Sequence, residues 1–302
     1  MVKIIRKYNV DIIHARSRAP AWSAYYAAKK TSIPFVTTFH GTYGINNKIK
    51  KKYNSIMVKS DKIIAISDFI KKHIVNNYEI NSENITTIHR GINISDFNSF
   101  SVSSERLISL TNKFNIPDDS LVILLPGRIT RWKGHALFIE AISILKRQDI
   151  TCLFIGDLQG RKGYLNELTS LISKYNLNEN FRIIENQIDM ATVYKLADVV
   201  VSASTDPEAF GRVVAEAQAM GRPTVAANHG GAPEIIKDNV TGWLFKPDDA
   251  NDLAQKINFA LNLSEDKRNE MAFLSNKRMK MYFDNKYMCK NTLDLYEKLI
   301  NK

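Results

Sequence analysis

Residues 121–135 read LVILLPGRITRWKGH, and this stretch decides the fold class. Five apolar residues run without interruption from Leu121 to Leu125, which is typical of a strand that helices cover on both faces. A short loop bounded by Gly127 and Gly134 follows, and a helix is predicted over 134–147. Because a buried strand, a loop and a helix form the first half of a βαβ unit, we expect a mainly parallel sheet.

The same alternation of short apolar runs and longer amphipathic segments extends in both directions. A polar, Ser/Asn-rich connector after Asn93 interrupts it, so the pattern predicts two α/β sheet domains joined near 95–105. The tail from Ala250 onward is predicted to be helical and to divide at Ser264 and Asp284. The predicted strands are 10–14, 34–39, 62–66, 85–89, 121–127, 151–156, 181–184, 198–204 and 223–227, and the main helices between them are 18–30, 46–59, 67–78, 134–147, 163–175, 190–197 and 211–220.

Composition excludes several classes of protein. The chain has 302 residues, of which 44% are hydrophobic and 24% charged, so it is too apolar for a disordered chain. It contains neither a transmembrane run nor the apolar core of a signal peptide. Its two cysteines, Cys152 and Cys289, stand in unrelated contexts. They indicate neither a disulfide framework nor a zinc site, and they fit a reducing cytoplasm.

The charge balance is basic, with 42 Lys and Arg against 31 Asp and Glu and a net charge of +11. Such an excess favours an anionic partner, which could be nucleic acid, an acidic membrane face or a phosphorylated ligand. AT-rich codons offer a second explanation for part of the lysine content. Nucleic acid is the least favoured partner, because no nucleic-acid-binding motif occurs and the arginines follow strands instead of forming one stripe.

A pair of glutamates marks the strongest candidate site. Residues 206–223 read DPEAFGRVVAEAQAMGRP, which places Glu208 in a loop after a strand and Glu216 on the helix that Gly211 opens. The backbone amides of Phe210, Gly211 and Arg212 would lie at the positive end of that helix and could bind phosphate. The two carboxylates could accept hydrogen bonds from sugar hydroxyls. The alternative is that both glutamates are ordinary surface residues.

Two cations share the loop after the strand at 121–127. Arg128 and Lys133 are five residues apart in a glycine-bounded turn, so both can point into one crevice. An arginine fork and a lysine point charge together suit a diphosphate. An ordinary basic turn between a strand and a helix is the alternative, and Arg131 is expected to lie on the surface.

The first domain carries candidate residues after its own strands. His40 follows the strand at 34–39 within FHGTYG, where it can face a ligand or bond to a nearby carbonyl group. Arg16 and Arg18 follow the strand at 10–14 and would either add positive potential to a cleft or lie on the surface as solvated side chains. The helix at 46–59 is basic and amphipathic, which suits either an interfacial contact or a solvated surface.

Together these segments resemble the retaining glycosyltransferases of family 4, which adopt the GT-B fold. The resemblance rests on the glutamate pair Glu208-AFGRVVA-Glu216, on the GRxxxxKG element from Gly127 to Gly134, and on the Gly-Gly-Ala-Pro-Glu loop that ends at Glu234. It implies an α/β protein with two Rossmann-like domains. These would be an acceptor-side domain over 1–99 and a nucleotide-sugar domain over 100–283, with a helix over 284–302 packing back on the first domain.

The resemblance also implies a role for each matching residue. The diphosphate would be held by Arg128 and Lys133, the donor sugar by Glu208 and His40, and the ribose by Glu216. The amides near Phe210, Gly211 and Arg212 would complete the phosphate cradle, and the base would lie at the segment that contains Gln187 and Ile188. The family needs no metal or other cofactor, and the absence of an Asp-x-Asp motif agrees with that habit.

The function implied is transfer of a hexosyl or N-acetylhexosaminyl group, with retention, from a UDP-, GDP- or ADP-sugar donor. The segments HARSRAPAWSAYYAA and TTFHGTYG look most like bacterial enzymes of lipopolysaccharide or surface-polysaccharide synthesis. A lipid-linked or polysaccharide acceptor is therefore expected, with a cytoplasmic location and peripheral contact with the anionic inner face of the membrane.

The amino terminus departs from the family pattern. No glycine-rich segment precedes Gly41, although the family carries one in a first βα unit. We therefore expect part of the first domain to be missing. This leaves two hypotheses, an active transferase and a catalytically impaired fragment or accessory subunit that binds nucleotide-sugar. The glutamate spacing argues against a third, a nucleotide-sugar epimerase.

Overall fold

The computed structural model describes residues 1–44, 47–185 and 187–301. The chain forms two compact units, of which the first combines Met1–Gly91 with Asn285–Lys302 and the second is Ile92–Asp284. Each unit is built on a parallel sheet, as the alternation of strands and helices predicts.

The sheet of the first unit has four described strands in the order β1-β2-β3-β4. The inner strand Phe35–Phe39 is buried at every position, so both faces of the sheet are covered there. The helix Asp68–Tyr78 starts as predicted, because the Ser67 side chain accepts a hydrogen bond from the amide of Ile70. The strands are β1 (Ile13–Ala15), β2 (Phe35–Phe39), β3 (Lys62–Ala65) and β4 (Ile85–Thr87), and the helices are α1 (Val2–Tyr8), α2 (Arg18–Thr31), α3 (Lys48–Asn54) and α4 (Asp68–Tyr78).

The second unit has a six-stranded parallel sheet in the order β10-β9-β8-β5-β6-β7 among its described residues. Its strands are β5 (Leu121–Pro126), β6 (Ile150–Ile155), β7 (Phe181–Ile184), β8 (Val199–Ser202), β9 (Thr224–Ala227) and β10 (Trp243–Phe245). Its helices are α5 (Ser104–Lys113), α6 (His135–Leu145), α7 (Lys162–Lys174), α8 (Met190–Leu196), α9 (Arg212–Ala219), α10 (Ala232–Ile235), α11 (Ala250–Leu261) and α12 (Glu265–Tyr282).

Strand β5 is buried on both faces, as its apolar run predicts. Val122 and Leu124 belong to one hydrophobic cluster, with residues of α8 and α9. Ile123 and Leu125 belong to the cluster on the opposite face, with residues of α6 and α11. Because alternate residues of a strand point to opposite faces, a strand between two helical layers must be apolar throughout.

The order of strands also locates a crevice. From β5 the chain adds β6 and then β7 on one side, and it returns to β8 on the other side. The loops that leave β5 and β8 at the carboxyl end of the sheet therefore lead to helices on opposite faces, α6 and α9. In open parallel sheets this point, where the strand order reverses, is where ligands bind.

The last helix, α13 (Asn285–Ile300), belongs to the first unit. Its Leu295 packs with Val36, Ile64 and Ile88, which lie on or just after β2, β3 and β4. The side chains of Tyr296 and His14 are also hydrogen-bonded to each other. The end of the chain therefore completes the covering of the first sheet.

Two differences from the predicted boundaries have a clear physical cause. The helix predicted over 46–59 is α3 followed by a 3₁₀ turn at Ser55–Val58, and residue 46 lies outside the described part. The Ser55 hydroxyl donates to the Lys52 carbonyl, a local bond that competes with helix continuation. Along the chain, the first unit ends at 91 and the second begins at 92, earlier than the predicted 99/100. The reason is that Phe97 and Val102 already pack on the core of the second unit.

A helix that the sequence analysis missed lies between the connector predicted near 95–105 and the strand predicted at 121–127. Helix α5 starts where the Ser103 side chain accepts from the amide of Arg106, and it buries Leu110. Because the segment is mostly polar and only one of its residues is buried, its sequence gives little indication of a packed helix.

Among the described residues, none of the helices has the length and apolar character needed to span a bilayer.

The buried His135 predicts how stability depends on pH. Burial lowers the pKa of this histidine from 6.5 to about 4. Between these values the unfolded chain binds more protons than the folded chain, so stability is lost as the pH falls through this range. We expect this group alone to lower the free energy of unfolding by about 2 kcal/mol between pH 7 and pH 5.

Chemical denaturation of the wild type and His135→Asn across this range checks the prediction. The variant should show a shallower loss of stability with acidification, whatever its stability at pH 7. Parallel curves for the two proteins would contradict it.

Candidate functional site

Close packing of two loops forms the centre of the candidate site. Gly134, at the end of the β5 loop, has a φ of +74°, and a Cβ there would lie 1.8 Å from the Ala203 carbonyl oxygen after β8. No side chain fits at that distance, so glycine is required for the approach. The amide of Thr205 then donates to the carbonyl of Trp132 at 2.8 Å, which joins the two loops directly.

An ion pair spans these loops. Lys133 Nζ lies 2.7 Å from Glu208 Oε1, and the two side chains are 12% and 17% exposed. The Ser204 hydroxyl donates to the same oxygen at 2.5 Å. Because the described contacts of Glu208 end on Oε1, its Oε2 can accept hydrogen bonds from a ligand.

Trp132 lies beside both Arg128 and Lys133 of the β5 loop. Lys133 Nζ is 4.5 Å from the centre of the indole ring, and the guanidinium carbon of Arg128 is 5.7 Å from it. Arg128 is exposed, and the described residues include no carboxylate paired with it. The predicted cationic pair is thus divided into a lysine that is paired with Glu208 and an arginine that keeps its charge for a ligand.

The loop after β9 contacts the backbone of Glu208. The amide of Gly231 donates to the Glu208 carbonyl at 2.8 Å. Gly230 has a φ of +64°, and a Cβ at this position would lie 2.4 Å from the same carbonyl oxygen. His229 Nε2 donates to the Ser204 carbonyl at 2.8 Å. The Gly-Gly segment therefore brings its backbone against the loop that carries Glu208.

The second glutamate is held by a different set of groups. Glu216 is only 5% exposed, and its Oε2 accepts from the hydroxyl of the fully buried Tyr194 at 2.8 Å. Its Oε1 accepts from Arg212 Nε at 2.5 Å. Burial and the adjacent carboxylate raise the pKa of Tyr194 well above its usual value, so the hydroxyl keeps its proton and donates. Glu208 and Glu216 thus have no common partner among the described side chains.

The start of α9 lies between the two glutamates in the chain. Gly211 has a φ of +102° and precedes the helix without a side-chain cap, so the first-turn amides need an acceptor from outside the helix. The Phe210 ring is 5% exposed and packs against Phe283. Of Phe210, Gly211 and Arg212, only Arg212 therefore offers a side chain to solvent, and Phe210 offers its backbone alone.

The segment assigned to the base lies further along the sheet. Gln187 is partly buried and Ile188 is 99% exposed, and both follow β7, which β6 separates from β5. Asn186, between them and Glu185, lies outside the described residues. The structure thus puts this segment at the carboxyl end of the sheet, and its role stays a prediction.

His40 belongs to the first unit. Burial, followed by the charges of Arg16 and Arg90, lowers its pKa to about 4, so the ring is neutral at pH 7. Arg16 Nε donates to His40 Nε2 at 3.4 Å. Arg18 instead stacks on Tyr43 and donates to Asn54, so its role is to pack against the first unit and not to act as a free charge. A contact of His40 with the donor sugar stays a prediction.

A cavity of about 380 Å³ adjoins His40 within the first unit. Its polar lining comes from the ends of the strands and from α13, whereas Ile64, Ile88 and Leu293 form apolar parts of the wall. His14 lies in this lining with Nε2 2.6 Å from the Thr38 hydroxyl. The polar residues include His14, Arg16, Thr38, His40, Arg90, Thr292 and Tyr296.

Sequence reasoning missed several of the residues that hold the site. Tyr194, Trp132 and Ser204 had no assigned part, although Ser204 ends a predicted strand and could have been considered on that ground. Tyr194 is separated from Glu216 by 22 positions and belongs to no recognisable pattern. Its contribution depends on α8 and α9 sharing one hydrophobic cluster, which only the three-dimensional structure shows.

Comparisons with known proteins agree with this fold. Residues 109–276 match the model of the glycosyl transferases group 1, and residues 1–96 match that of glycosyltransferase family 4. The fold is that of a GT-B glycosyltransferase, with two Rossmann-like units. The chain belongs to glycosyltransferase family 4.

Three relatives illustrate the likeness. The crystal structure of a glycosyltransferase from Rickettsia africae has 40% identity and a TM-score of 0.93, over 99% of this chain and 79% of that one. Spore coat protein SA of Bacillus subtilis is 23% identical over 97% of this chain and 80% of its own length. HepE of Anabaena, solved with UDP and glucose, has 23% identity and a TM-score of 0.87, over 98% of this chain and 80% of that one.

The hydrogen bond between Tyr194 and Glu216 predicts a measurable coupling. Tyr194→Phe leaves a buried carboxylate oxygen without its donor, so we expect it to lower the free energy of unfolding by about 2 kcal/mol. In the double variant with Glu216→Gln, a large part of that loss should disappear, since the charge that required the donor is gone.

Chemical denaturation of both single variants and the double variant checks this coupling. Tyr175→Phe, a partly exposed tyrosine of the same unit, is the matched control and should change stability little. Additive losses in the double variant would show that the bond between Tyr194 and Glu216 contributes nothing.

Proposed function

We propose that the protein transfers a sugar from a nucleoside-diphosphate donor to an acceptor hydroxyl, with retention of anomeric configuration. The observation that carries the proposal is the Lys133–Glu208 pair at the carboxyl ends of β5 and β8. It puts a cation for the diphosphate beside a carboxylate for the sugar, at the point of the sheet where ligands bind. Arg128 and the start of α9 add positive potential nearby.

The proposed chemistry depends on neutralising the leaving group. The bond between the anomeric carbon and the diphosphate oxygen breaks, and the nucleoside diphosphate departs with the electron pair. The acceptor oxygen bonds to the same face of the anomeric carbon, and its proton passes to the departing diphosphate oxygen. Arg128, Lys133 and the α9 amides would stabilise the charge that develops on the diphosphate. Glu208 Oε2 would accept hydrogen bonds from the donor sugar, and Glu216 would bind the ribose.

The base and the sugar are proposed only as a class. HepE, which shares the fold, was solved with UDP and glucose, and this supports a nucleotide-sugar donor here. UDP-, GDP- and ADP-sugars all fit the proposal, with a hexosyl or N-acetylhexosaminyl group transferred. A thermal-shift panel of these nucleotides and their sugars would select among them, because a ligand that binds the native state raises its apparent stability.

The acceptor is proposed to be a lipid-linked or polysaccharide glycan of the bacterial cell envelope, such as lipopolysaccharide, made at the cytoplasmic face of the membrane. The likeness of the segments around His14 and His40 to enzymes of that class supports this proposal. The cavity beside His40 offers arginine side chains for an anionic group and an apolar wall for a less polar one. We propose that it takes part in acceptor binding.

Substitutions at the ion pair separate the proposed roles. Lys133→Ala should weaken binding of the free nucleoside diphosphate by about 2 kcal/mol, or roughly thirtyfold, through the loss of a charged hydrogen bond. Glu216→Ala should weaken binding of both the nucleotide and its sugar, whereas Glu208→Ala should weaken mainly the nucleotide-sugar. Isothermal titration with each ligand measures the three effects.

Arg131→Ala is the matched control, because Arg131 lies in the same loop but pairs with Glu167 at the surface. Its affinity for the nucleoside diphosphate should equal that of the wild type. Unchanged affinity in Lys133→Ala would overturn the assignment of Lys133 to the diphosphate.

Turnover tests the transfer itself. The purified 302-residue chain is given its donor and an envelope glycan acceptor. It should release nucleoside diphosphate and form a product whose new linkage has the same anomeric configuration as the donor sugar. We expect chelation with EDTA to leave the rate unchanged, because Lys133, Arg128 and the helix amides supply the positive charge.

Two other outcomes would change the proposal. Nucleotide-sugar binding without turnover would favour an accessory, binding role for this chain. A rate lost with EDTA and restored by added divalent cation would show that the protein groups do not suffice.

A further inference from the structure

The net charge of the protein lies entirely in its first unit. Residues 1–91 and 285–302 contain 20 Lys and Arg and 7 Asp and Glu, a net charge of +13. Residues 92–284 contain 22 and 24, a net charge of −2, and the two values sum to the +11 of the chain. The first 60 residues alone hold 12 basic residues and one acidic residue, Asp11.

The structure gathers part of this charge beside a group of aromatic rings. Trp22 on α2 stacks on Tyr26 at 6.5 Å and lies 6.3 Å from Tyr53 on α3, so the two helices share one surface. Tyr26 and Tyr53 are 62% and 42% exposed, and Ile49 between the α3 lysines is 77% exposed. We call this surface the α2–α3 face. Its members are Trp22, Tyr26, Lys29, Lys30, Lys48, Ile49, Lys50, Lys51, Lys52 and Tyr53, and all six lysines are exposed.

We propose that the α2–α3 face docks on an anionic lipid membrane. A lysine near such a surface contributes about 1 kcal/mol of attraction, and several together give stable but reversible binding. Tyrosine and tryptophan rings favour the depth of the lipid headgroups, and an exposed isoleucine can enter the boundary with the acyl chains. This membrane contact extends the proposed function, in which the acceptor is lipid-linked.

The composition of the face favours lipid over nucleic acid. All six of its cations are lysines, and it offers none of the planar arginine forks that bind phosphates bidentately. The arginines next to it are engaged within the unit, with Arg18 on Tyr43 and Arg16 on His40. The exposed Ile49 would add little to the affinity for the charged backbone of a polynucleotide, whereas it would add to the affinity for a bilayer.

Vesicle co-sedimentation of the full chain, without any nucleotide-sugar, tests the proposal. The vesicles are phosphatidylcholine alone and phosphatidylcholine with about one third phosphatidylglycerol. We expect binding to the anionic vesicles only, with a loss of most binding between about 0.05 M and about 0.5 M salt. The quadruple variant K48Q/K50Q/K51Q/K52Q should bind at least about tenfold more weakly.

Two further variants sharpen the result. K113Q/K267Q/K277Q/K280Q removes the same charge from exposed lysines of the second unit and should bind like the wild type. Ile49→Ser should reduce the binding that persists at higher salt, because it removes the apolar contribution but no charge. Equal binding of both quadruple variants, or equal binding to neutral and anionic vesicles, would overturn the proposal.

Two controls keep this proposal separate from the transferase activity. The quadruple α3 variant should keep the nucleotide-induced thermal shift of the wild type, so a failure of donor binding would show up independently of the vesicles. The wild type and the quadruple α3 variant are then titrated with a mixed-sequence oligonucleotide. Lysine-dependent binding to the oligonucleotide without binding to vesicles would assign the face to nucleic acid and overturn the proposal.

Discussion

The ion pair between Lys133 and Glu208 is the contact around which the rest of the site is arranged. Both side chains are largely removed from water, and removing either partner of such a pair leaves a costly uncompensated charge. Its two residues are 75 positions apart in the chain, and the pair joins loops that follow two different strands. Its geometry therefore requires the close approach of those loops, which Gly134 permits, and the bond from Thr205 to Trp132, which maintains it.

This pairing changes how the charge of the site must be understood. A lysine whose charge is matched by a carboxylate adds little long-range attraction for a diphosphate that approaches from solvent, although its ammonium group can still donate a charged hydrogen bond to the bound diphosphate. Arg128 and the start of α9 must then supply most of that attraction, while the pair orients the ligand. The two glutamates also differ in how many of their carboxylate oxygens have a partner. Glu208 is fixed through one oxygen and keeps the other open, whereas Tyr194 and Arg212 engage both oxygens of Glu216.

The parts of the fold that could be predicted from sequence are those that local pattern controls. The continuous apolar run at 121–125 and the N-cap Ser67 were interpreted correctly, because strand burial and helix capping leave local traces. Helix α5 was missed, since a single buried leucine in a polar segment leaves almost none. For the site, the sequence allows residues that follow strands to be named as candidates. It does not show that Glu208 is the partner of Lys133, because that contact requires β8 to lie next to β5. That adjacency is a property of the sheet order and of no single segment.

The basic charge of the chain shows why a sum over residues is a weak guide to a site. As a whole-chain value, +11 is consistent with a diphosphate bound at the candidate site. The unit that holds Lys133 and Glu208 is nevertheless slightly acidic, with 22 basic and 24 acidic residues. Anion binding there must come from local placement, namely an unpaired arginine and the amides of a helix start. The net charge belongs to the first unit, where it acts over a wide surface and suits an extended anionic partner.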